Sequence, residues 1–396
     1  MPKSEKIRRV LVAGASGQLG RELTRQLLTA GYEVRALIHK TPLDVPGVKC
    51  IRGNVSSLAD CRRAVEGADA VCQLATTKED PDTFIDVSIR GTYNLLEAAR
   101  QSGRVRRWVL SGGDAAMGIY FYKQPGPINE AMPRRAYPGC YAFSKVIEEV
   151  MAEQYHIQYG LPTVCLRASW IIHRDMILRH FSVKGNGLGV PRWQDHMTSA
   201  QKKALRDLVG RAAGGRGSGA GTLDGPSRAS EKGGMGLWPV RLAGVSPAVA
   251  AGTAARRAGR RPTPHIVDAP GVPAGRDFVG IAIHPDGRAL VRHVVSIHDV
   301  AAAFLLALAN PASIGQTFNI AAPSAFAYDT AGDYLARKTG WPTMRITVPK
   351  AEDFAMDISK ARAILGYQPQ YDIFSMLDEA LQYRQGAGDK AVSWKG

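Results

Sequence analysis

The sequence predicts an α/β protein with a doubly wound parallel sheet, and three observations carry the expectation. Val10-Leu-Val-Ala13 is a short apolar run suited to a strand covered on both faces, and Gly14, Gly17 and Gly20 follow it at three-residue intervals. Leu23, Leu27 and Leu28 then share one helical face, Gly31 supplies the stop, and residues 32–38 read as a second strand. Beyond them, short apolar runs keep alternating with amphipathic stretches, the pattern of a parallel sheet with right-handed crossovers and helices on both faces.

The glycine turn is the most informative of these. Its first glycine permits a tight turn, its second lets backbone N–H groups approach a diphosphate, and its third lets the helix lie close to the strand. A glycine triplet alone is weak, but here it stands between a strand and a helix that leads to a second strand, the context a dinucleotide cradle needs.

The remaining elements follow in order. Residues 48–53 read as a third strand, 58–67 as a helix closed by glycine, and 69–75 as a fourth strand. Apolar residues at Phe84, Val87, Leu95, Leu96 and Ala99 predict a helix over 83–100, which leads to a strand at 107–110. A long helix is expected at 144–159, a strand at 162–167, a strand tip and buried helix at 294–308, and a short strand at 317–320. Helices at 330–339, 358–365 and 373–383 complete the tail. The expected organisation is a Rossmann-type domain at 1–183, a basic insertion at 190–276, and a smaller substrate lobe at 280–396 that returns strands and helices to the first domain. In such a sheet, ligands gather at the carboxyl ends of the strands.

The insertion departs from its surroundings. It is rich in Gly, Ala and Arg, and outside 201–211 it lacks periodicity, so it is expected to be largely disordered for want of apolar surface. The chain's net charge is +16, and residues 192–261 hold thirteen Lys/Arg against four Asp/Glu. The charge therefore belongs mainly to this segment. A nucleic-acid partner is the sharper reading of such charge and a solvated basic loop the plainer one, favoured because Trp193 and Trp238 form no aromatic platform among the arginines. Elsewhere, 45% hydrophobic and 22% charged residues describe a globular protein. Five cysteines, with no Cys-x-x-Cys pair and no histidine at zinc spacing, point to reduced thiols and to no metal site. The charged residues 1–9 run directly into the first strand, leaving no room for a signal peptide's apolar core, and no stretch is apolar for long enough to cross a bilayer. A cytoplasmic location without membrane association is expected, and a homodimer is among the assemblies the sequence allows.

Tyr141-Ala-Phe-Ser-Lys145 is the second informative stretch. Tyr and Lys one turn apart share a helical face, so the ammonium is expected to lower the phenol's pKa and to hold a nicotinamide ribose. A phenol so shifted can serve as a general base toward a hydroxyl.

Together with Gly14-Ala-Ser-Gly-Gln-Leu-Gly20, Leu74-Ala75, Gly91-Thr-Tyr-Asn-Leu-Leu-Glu-Ala-Ala99, Leu166-Arg167, His298-Asp-Val-Ala301, Phe318-Asn-Ile320 and Leu365-Gly-Tyr-Gln-Pro369, this stretch resembles the extended short-chain dehydrogenase/reductases, the NAD-dependent epimerase/dehydratase family. The resemblance covers residues 7–183 and about 280–385. It implies that Gly14, Ser16, Gly17, Gln18, Leu19 and Gly20 bind the dinucleotide. Asn54 and Val55 would lie at adenine, with Leu74, Ala75, Thr76 and Ala168 along the crevice and Tyr141 and Lys145 at the nicotinamide ribose. Asp114, Ser169 and Trp170 would face substrate, and His298 and Asp299 would steady the returning chain.

Three departures qualify what the family implies. The Ser or Thr that members usually carry beside the tyrosine is Gly113 here, with Ser111 and Asp114 as candidate substitutes. Asp114-Ala115 offers at most one member of the acid–base pair that sugar dehydration requires. The asparagine usual before Gly-Thr is Ser88. The second strand also ends in Leu37-Ile-His-Lys40, without the acid that would bind an NAD ribose, so His39 and Lys40, with Arg35 nearby, either meet the 2′-phosphate of NADP or are surface charges.

The resemblance thus implies an NAD- or NADP-dependent oxidoreductase or epimerase acting on a hydroxyl or keto group of a sugar-like substrate such as a nucleotide sugar. Tyr141 would be the base, Lys145 its partner and Ser111 a further catalytic candidate. A non-catalytic dinucleotide-binding sensor or scaffold is the alternative, motivated by Gly113 and the insertion.

Overall fold

In a computed structural model, residues 6–119, 121–185, 193–213 and 277–386 are described. Strands β1 (Arg9–Ala13), β2 (Glu33–Ile38), β3 (Lys49–Arg52), β4 (Ala70–Gln73), β5 (Arg107–Gly113) and β6 (Thr163–Ala168) alternate with helices α1 (Gln18–Thr29), α2 (Leu58–Val65), α3 (Gly91–Ser102) and α4 (Cys140–Tyr159). There follow β7 (Trp170–Ile172), α5 (Met176–Phe181), α6 (Trp193–His196), α7 (Ser199–Ala213), β8 (Val279–Ile283), β9 (Val291–Arg292), β10 (Val294–Ser296) and α8 (Ile297–Ala309). The chain closes with β11 (Gln316–Ile320), β12 (Phe326–Ala327), α9 (Tyr328–Thr339), β13 (Thr343–Thr347) and α10 (Ile373–Gly386).

Seven strands form one parallel sheet in the order β11-β6-β5-β4-β1-β2-β3. The alternation read from β1 decides its two faces. Val10 and Val12 pack with Leu23 and Leu27 of α1 and with Val300, Phe304 and Ala307 of α8. Leu11 and Ala13 pack on the other side with Leu95 and Leu96 of α3 and Ala152 of α4. The strand order reverses between β1 and β4, so the loops after these two strands open the crevice in which such sheets bind ligands.

The described residues divide into two compact units. One comprises those within Met1–Leu178, Leu290–Ala331 and Lys350–Lys395, and holds the whole seven-stranded sheet; the other comprises those within Arg179–Ala289 and Gly332–Pro349. Of the stretch read as a lobe that returns strands and helices to the first domain, the described residues within Leu290–Ala331 and Lys350–Lys395 lie in the first unit. There β11 extends the sheet beside β6, and α8 covers a sheet face that would otherwise expose its valines.

In the second unit β8 and β13 pair in parallel. The expectation of disorder over 190–276 needs correction at residues 193–213, which are helical. Trp193 is only 1% exposed and lies over Gly280, where a Cβ would come within 2.8 Å of its indole, and Gln201 donates to the Arg345 carbonyl at 2.8 Å. One large aromatic side chain and one amide thus anchor a stretch whose average composition is unpromising. The rest of the insertion lies outside the described residues.

Candidate active site

The glycine turn has the geometry of a cradle. Gly14 leaves β1 with φ of 84°, in the left-handed region, and a Cβ there would stand 2.7 Å from the Ala75 nitrogen. At Gly20 a Cβ would meet the Gly14 carbonyl oxygen at 2.2 Å and Ala15 Cα at 2.6 Å, so only glycine lets α1 lie this close to β1. Gly17 is exposed, donates to the Gly14 carbonyl at 3.1 Å and precedes α1 without any side-chain cap. The first turn holds no acidic residue, so the uncapped N–H groups and the positive end of the helix dipole remain available to an anion. Gln18 Oε1 is buried without a hydrogen-bond partner among the described residues. These features fit the diphosphate of a dinucleotide.

The rim of the cradle is braced. Ser16 Oγ donates to the Thr41 carbonyl at 2.7 Å, and Arg21 donates to the Ser16 carbonyl at 3.0 Å and the Pro42 carbonyl at 2.9 Å. His39 and Lys40 are exposed at the end of β2, while Leu19 packs partly against the core. Arg35 does not join them. Its guanidinium donates to the Glu66 and Arg63 carbonyls at the C-terminal end of α2, because a mid-strand side chain on this face reaches toward that helix.

Asn54 donates its N–H to Asp60 at 2.9 Å and accepts from Ser56 N at 3.1 Å. The buried Val55 has its carbonyl taken by Cys61 Sγ and Asn94 Nδ2. Leu74 N donates to the Ala13 carbonyl at 2.9 Å, Gln73 holds Ala75 through its side-chain amide, and Thr76 Oγ1 lies 3.0 Å from Ser88 Oγ. Ser88 also accepts from Thr77 N at 3.0 Å, so the hydroxyl that replaces the family's asparagine fixes this loop.

Helix α4 begins at Cys140, four residues before the expected start, which puts Tyr141 in its first turn. Gly139 supplies no side-chain cap; the Glu79 carboxylate does so instead, accepting from Cys140 N at 2.8 Å. Lys145 is buried, donates to the Ser111 carbonyl at 3.0 Å and to Glu148 Oε2 at 2.8 Å, and its Nζ lies 5.5 Å from the centre of the Tyr141 ring. Tyr141 and Lys145 thus share a face beside the end of β5, where a Cβ on Gly113 would be 3.5 Å from Tyr141 Oη and 3.8 Å from Lys145 Cδ.

One electrostatic expectation is overturned. Lys145 does not lower the Tyr141 phenol in this structure: burial, followed by the charges of Asp114, Glu148 and Glu79, holds it above its ordinary range. Glu148 sits against the ammonium and neutralises it, and burial in turn pushes the Glu148 carboxyl up.

The structure brings the three substrate-facing candidates together. Asp114, Ser169 and Trp170 are all buried, with Ser169 and the Trp170 backbone serving as hydrogen-bond partners of the Asp114 carboxyl. Burial pushes Asp114 up to about 7 against those bonds. The Ser169 hydroxyl donates to the His293 carbonyl, and Trp170 belongs to β7, paired with Val294. Ala168 ends β6 beside Gly113. Ser111 lies on the same strand face as Gly113, two residues back, and contributes its carbonyl to Lys145.

Sequence reasoning missed Glu148 and Glu79, which support the tyrosine helix. Glu148 was visible three residues after Lys145. Glu79 was not, because it reaches α4 from 61 residues away. Arg167 forms a buried double hydrogen bond with Glu149 of α4 at 2.8 and 3.2 Å, tying β6 to the helix that carries Tyr141. His298 stands between Glu22 of α1 and Glu379 of α10 at 2.8 and 2.9 Å, and Asp299 accepts from Gln370 N and Tyr371 N, as expected of residues that steady the returning chain.

A parallel sheet with its reversal beside a glycine cradle, and a Tyr-x-x-x-Lys helix along the next strands, defines the short-chain dehydrogenase/reductase class. Residues 10–172 match the model of the NAD dependent epimerase/dehydratase family. It is 32% identical over 165 residues to a uronate dehydrogenase of Pseudomonas putida, covering 40% of this chain and 59% of that protein. To an L-arabinose 1-dehydrogenase (NAD(P)(+)) of Haloferax volcanii it is 26% identical over 182 residues, covering 43% of this chain and 69% of that protein. The chain spans 59% and 58% of the length of the two uronate dehydrogenases of Pseudomonas that it matches.

Among solved structures, it superposes on a short-chain dehydrogenase/reductase superfamily protein from Agrobacterium tumefaciens with bound NAD. The TM-score is 0.68 at 20% identity, covering 96% of this chain and 98% of that one. A UDP-glucuronic acid 4-epimerase from Bacillus cereus in complex with NAD gives a TM-score of 0.62 at 17% identity, covering 96% and 99%. At these identities the likeness is one of fold.

Proposed function

We propose that the chain is an NAD- or NADP-dependent oxidoreductase or epimerase that acts on a hydroxyl or keto group of a sugar or nucleotide sugar. The observation that carries this reading is the pairing of Tyr141 with the buried Lys145 beside the end of β5, on the same sheet whose β1 feeds a glycine cradle with no room for a Cβ at Gly14 or Gly20. When bound, a nicotinamide dinucleotide supplies hydride transfer. The chain's own part is to hold the diphosphate at Gly14–Gly20, to grip a ribose through Lys145, and to move a proton at Tyr141 Oη. The names of the relatives point to uronic acids, pentoses or nucleotide sugars as the substrate class.

Two finer readings belong to the proposal. The missing acid after β2, with Arg21, His39 and Lys40 around the Thr41–Pro42 brace, favours the 2′-phosphate of NADP. Gly113 and the elevated phenol favour, as the second reading, a dinucleotide-binding sensor. Calorimetry with NADH and NADPH, followed by spectrophotometric assay of Tyr141→Phe beside the parent, separates the two. The enzyme reading expects turnover that Tyr141→Phe abolishes while dinucleotide affinity is kept. Tight binding with no hydride transfer to any sugar tested leaves the sensor.

A further inference from the structure

We propose that Glu148 is a positioning residue for the nicotinamide end of the site. It holds Lys145 so that one N–H is left for the ribose, and it cancels the ammonium's charge beside a ring that is positive only when oxidised. The inference rests on the dinucleotide reading above and deepens it, giving this chain a device that spares the oxidised form from repulsion.

The geometry is local and buried, with Lys145 3% exposed and Glu148 1%. The ammonium donates to Glu148 Oε2 at 2.8 Å and to the Ser111 carbonyl at 3.0 Å, so one anchor comes from α4 and the other from β5. An ammonium carries three hydrogens, and among the described residues one is left over. Lys145 reaches the carboxyl end of β5, where Gly113 puts no side chain beside it. A Cβ there would lie 3.8 Å from Lys145 Cγ and Cδ and 3.5 Å from Tyr141 Oη.

The next residue shows what a structural carboxylate looks like in this helix. Glu149 commits both oxygens to Arg167, at 3.2 and 2.8 Å, and so ties α4 to β6. Glu148 does neither. Its partner stands three residues away on the same helix, so the ion pair itself joins no two elements. Its Oε1 is buried without a hydrogen-bond partner among the described residues, and the Ser144 hydroxyl, one turn back, donates instead to the Tyr141 carbonyl at 2.9 Å. Desolvating such a pair costs about as much as its attraction returns, which makes it a poor device for stability. A half-satisfied carboxylate on an ammonium with a spare hydrogen fits a group that serves a ligand.

The consequence is electrostatic. Wherever their shared proton rests, Lys145 and Glu148 together carry no net charge. The nicotinamide ring, bonded directly to the ribose that Lys145 grips, is positive when oxidised and neutral when reduced. A bare ammonium would repel the oxidised ring alone, whereas the neutral pair repels neither form.

The test is calorimetry on the full chain at about pH 6 with NAD⁺ and NADH, or with NADP⁺ and NADPH where these bind more tightly. Circular dichroism checks that each variant is folded. Glu148→Gln keeps an oxygen for the ammonium and removes the charge, so affinity for the oxidised form should fall at least about fivefold relative to the reduced form. A role in packing alone would move both forms together. Adding Lys145→Met to Glu148→Gln should return the ratio to the parent's, although both affinities fall. An unmoved ratio in Glu148→Gln, or one that the added Lys145→Met does not restore, overturns the proposal. If Glu148→Gln does not fold, Lys145→Met alone decides. Burial pushes the Glu148 carboxyl up toward its neutral form, so both redox forms should lose affinity by the same factor. A selective gain for the oxidised form would show that the ammonium's charge had been acting on the ring, and overturns the proposal. If no dinucleotide binds the parent, the dinucleotide reading fails and this one with it; if both forms bind and the ratio stays fixed in Glu148→Gln, only this one falls.

Discussion

Gly20→Ala tests the cradle at its most crowded point. The added Cβ would lie 2.2 Å from the Gly14 carbonyl oxygen and 2.6 Å from Ala15 Cα, and both are backbone atoms that no rotamer change can move. Either α1 lifts off β1, or the turn itself deforms. Overpacking of a tight interior costs about 1–3 kcal/mol, and backbone on both sides places this site at the upper end, about 3 kcal/mol. With a urea m-value of about 3 kcal/mol/M, the unfolding midpoint should fall by about 1 M at unchanged slope. Dinucleotide binding should be lost in the same variant, measured by calorimetry at a urea-free temperature where the protein stays folded. Gly17→Ala is the control. Its Cβ meets only the Gly14 oxygen at 3.3 Å on an exposed loop, so stability should change by less than about 0.5 kcal/mol while affinity for the dinucleotide drops at least about tenfold. A Gly20→Ala protein with the parent's midpoint, or a Gly17→Ala protein with the parent's affinity, would refute the cradle as described.

Three other outcomes are expected. Glu149→Ala, which strands the 2%-exposed Arg167, should cost about 3–5 kcal/mol, and the double variant Glu149→Met with Arg167→Met should recover most of it in a denaturation cycle. Glu22 first, and Glu379 second, push His298 up to about 10, so its contribution is complete below the unfolded value near 6.5 and is lost as pH rises through about 10. With the side chain 32% exposed, this loss should be about 1 kcal/mol, and the slope should vanish in His298→Ala when stability is measured from pH 7 to 10.5. Lys40→Asp should shift the ratio of NADPH to NADH affinities at least about tenfold toward NADH; an unchanged ratio would remove the 2′-phosphate reading.

Much of the sheet was legible because its signals are local. The run Val10–Ala13, the glycine spacing and the helix stop at Gly31 each need only their neighbours in sequence; β1 and β2 formed within a residue of expectation, and α1 starts at Gln18, three residues before Arg21, where the helical pattern was read to begin. The same holds for Tyr141 and Lys145, one helical turn apart. What escaped depends on distant partners. The N-terminal turn of α4 has Gly139 where a capping side chain would announce it, and is closed by Glu79 from another loop. Residues 193–213 have an unpromising composition yet pack through Trp193 onto Gly280. The helix expected over 83–100 opens with a π-helical turn, Ile85–Arg90, before α3. The phenol's pKa was misjudged because i,i+4 spacing reveals a cation but neither the burial that chiefly raises the phenol nor the charges of Asp114 and Glu148 beside it.

The short segment after β4 touches both halves of the chemistry. At one end Ala75 lies against Gly14 so closely that no methyl fits between them, and at the other Glu79 grips the first peptide of α4. Thr76 and Thr77 between them are clamped to Ser88. Five consecutive residues, Ala75 to Glu79, therefore run from the glycine turn to the helix that carries the tyrosine. The turn that follows β1 and the helix that carries Tyr141 are thus joined by one short stretch of chain, packed at its start against Gly14 and hydrogen-bonded at its end to Cys140.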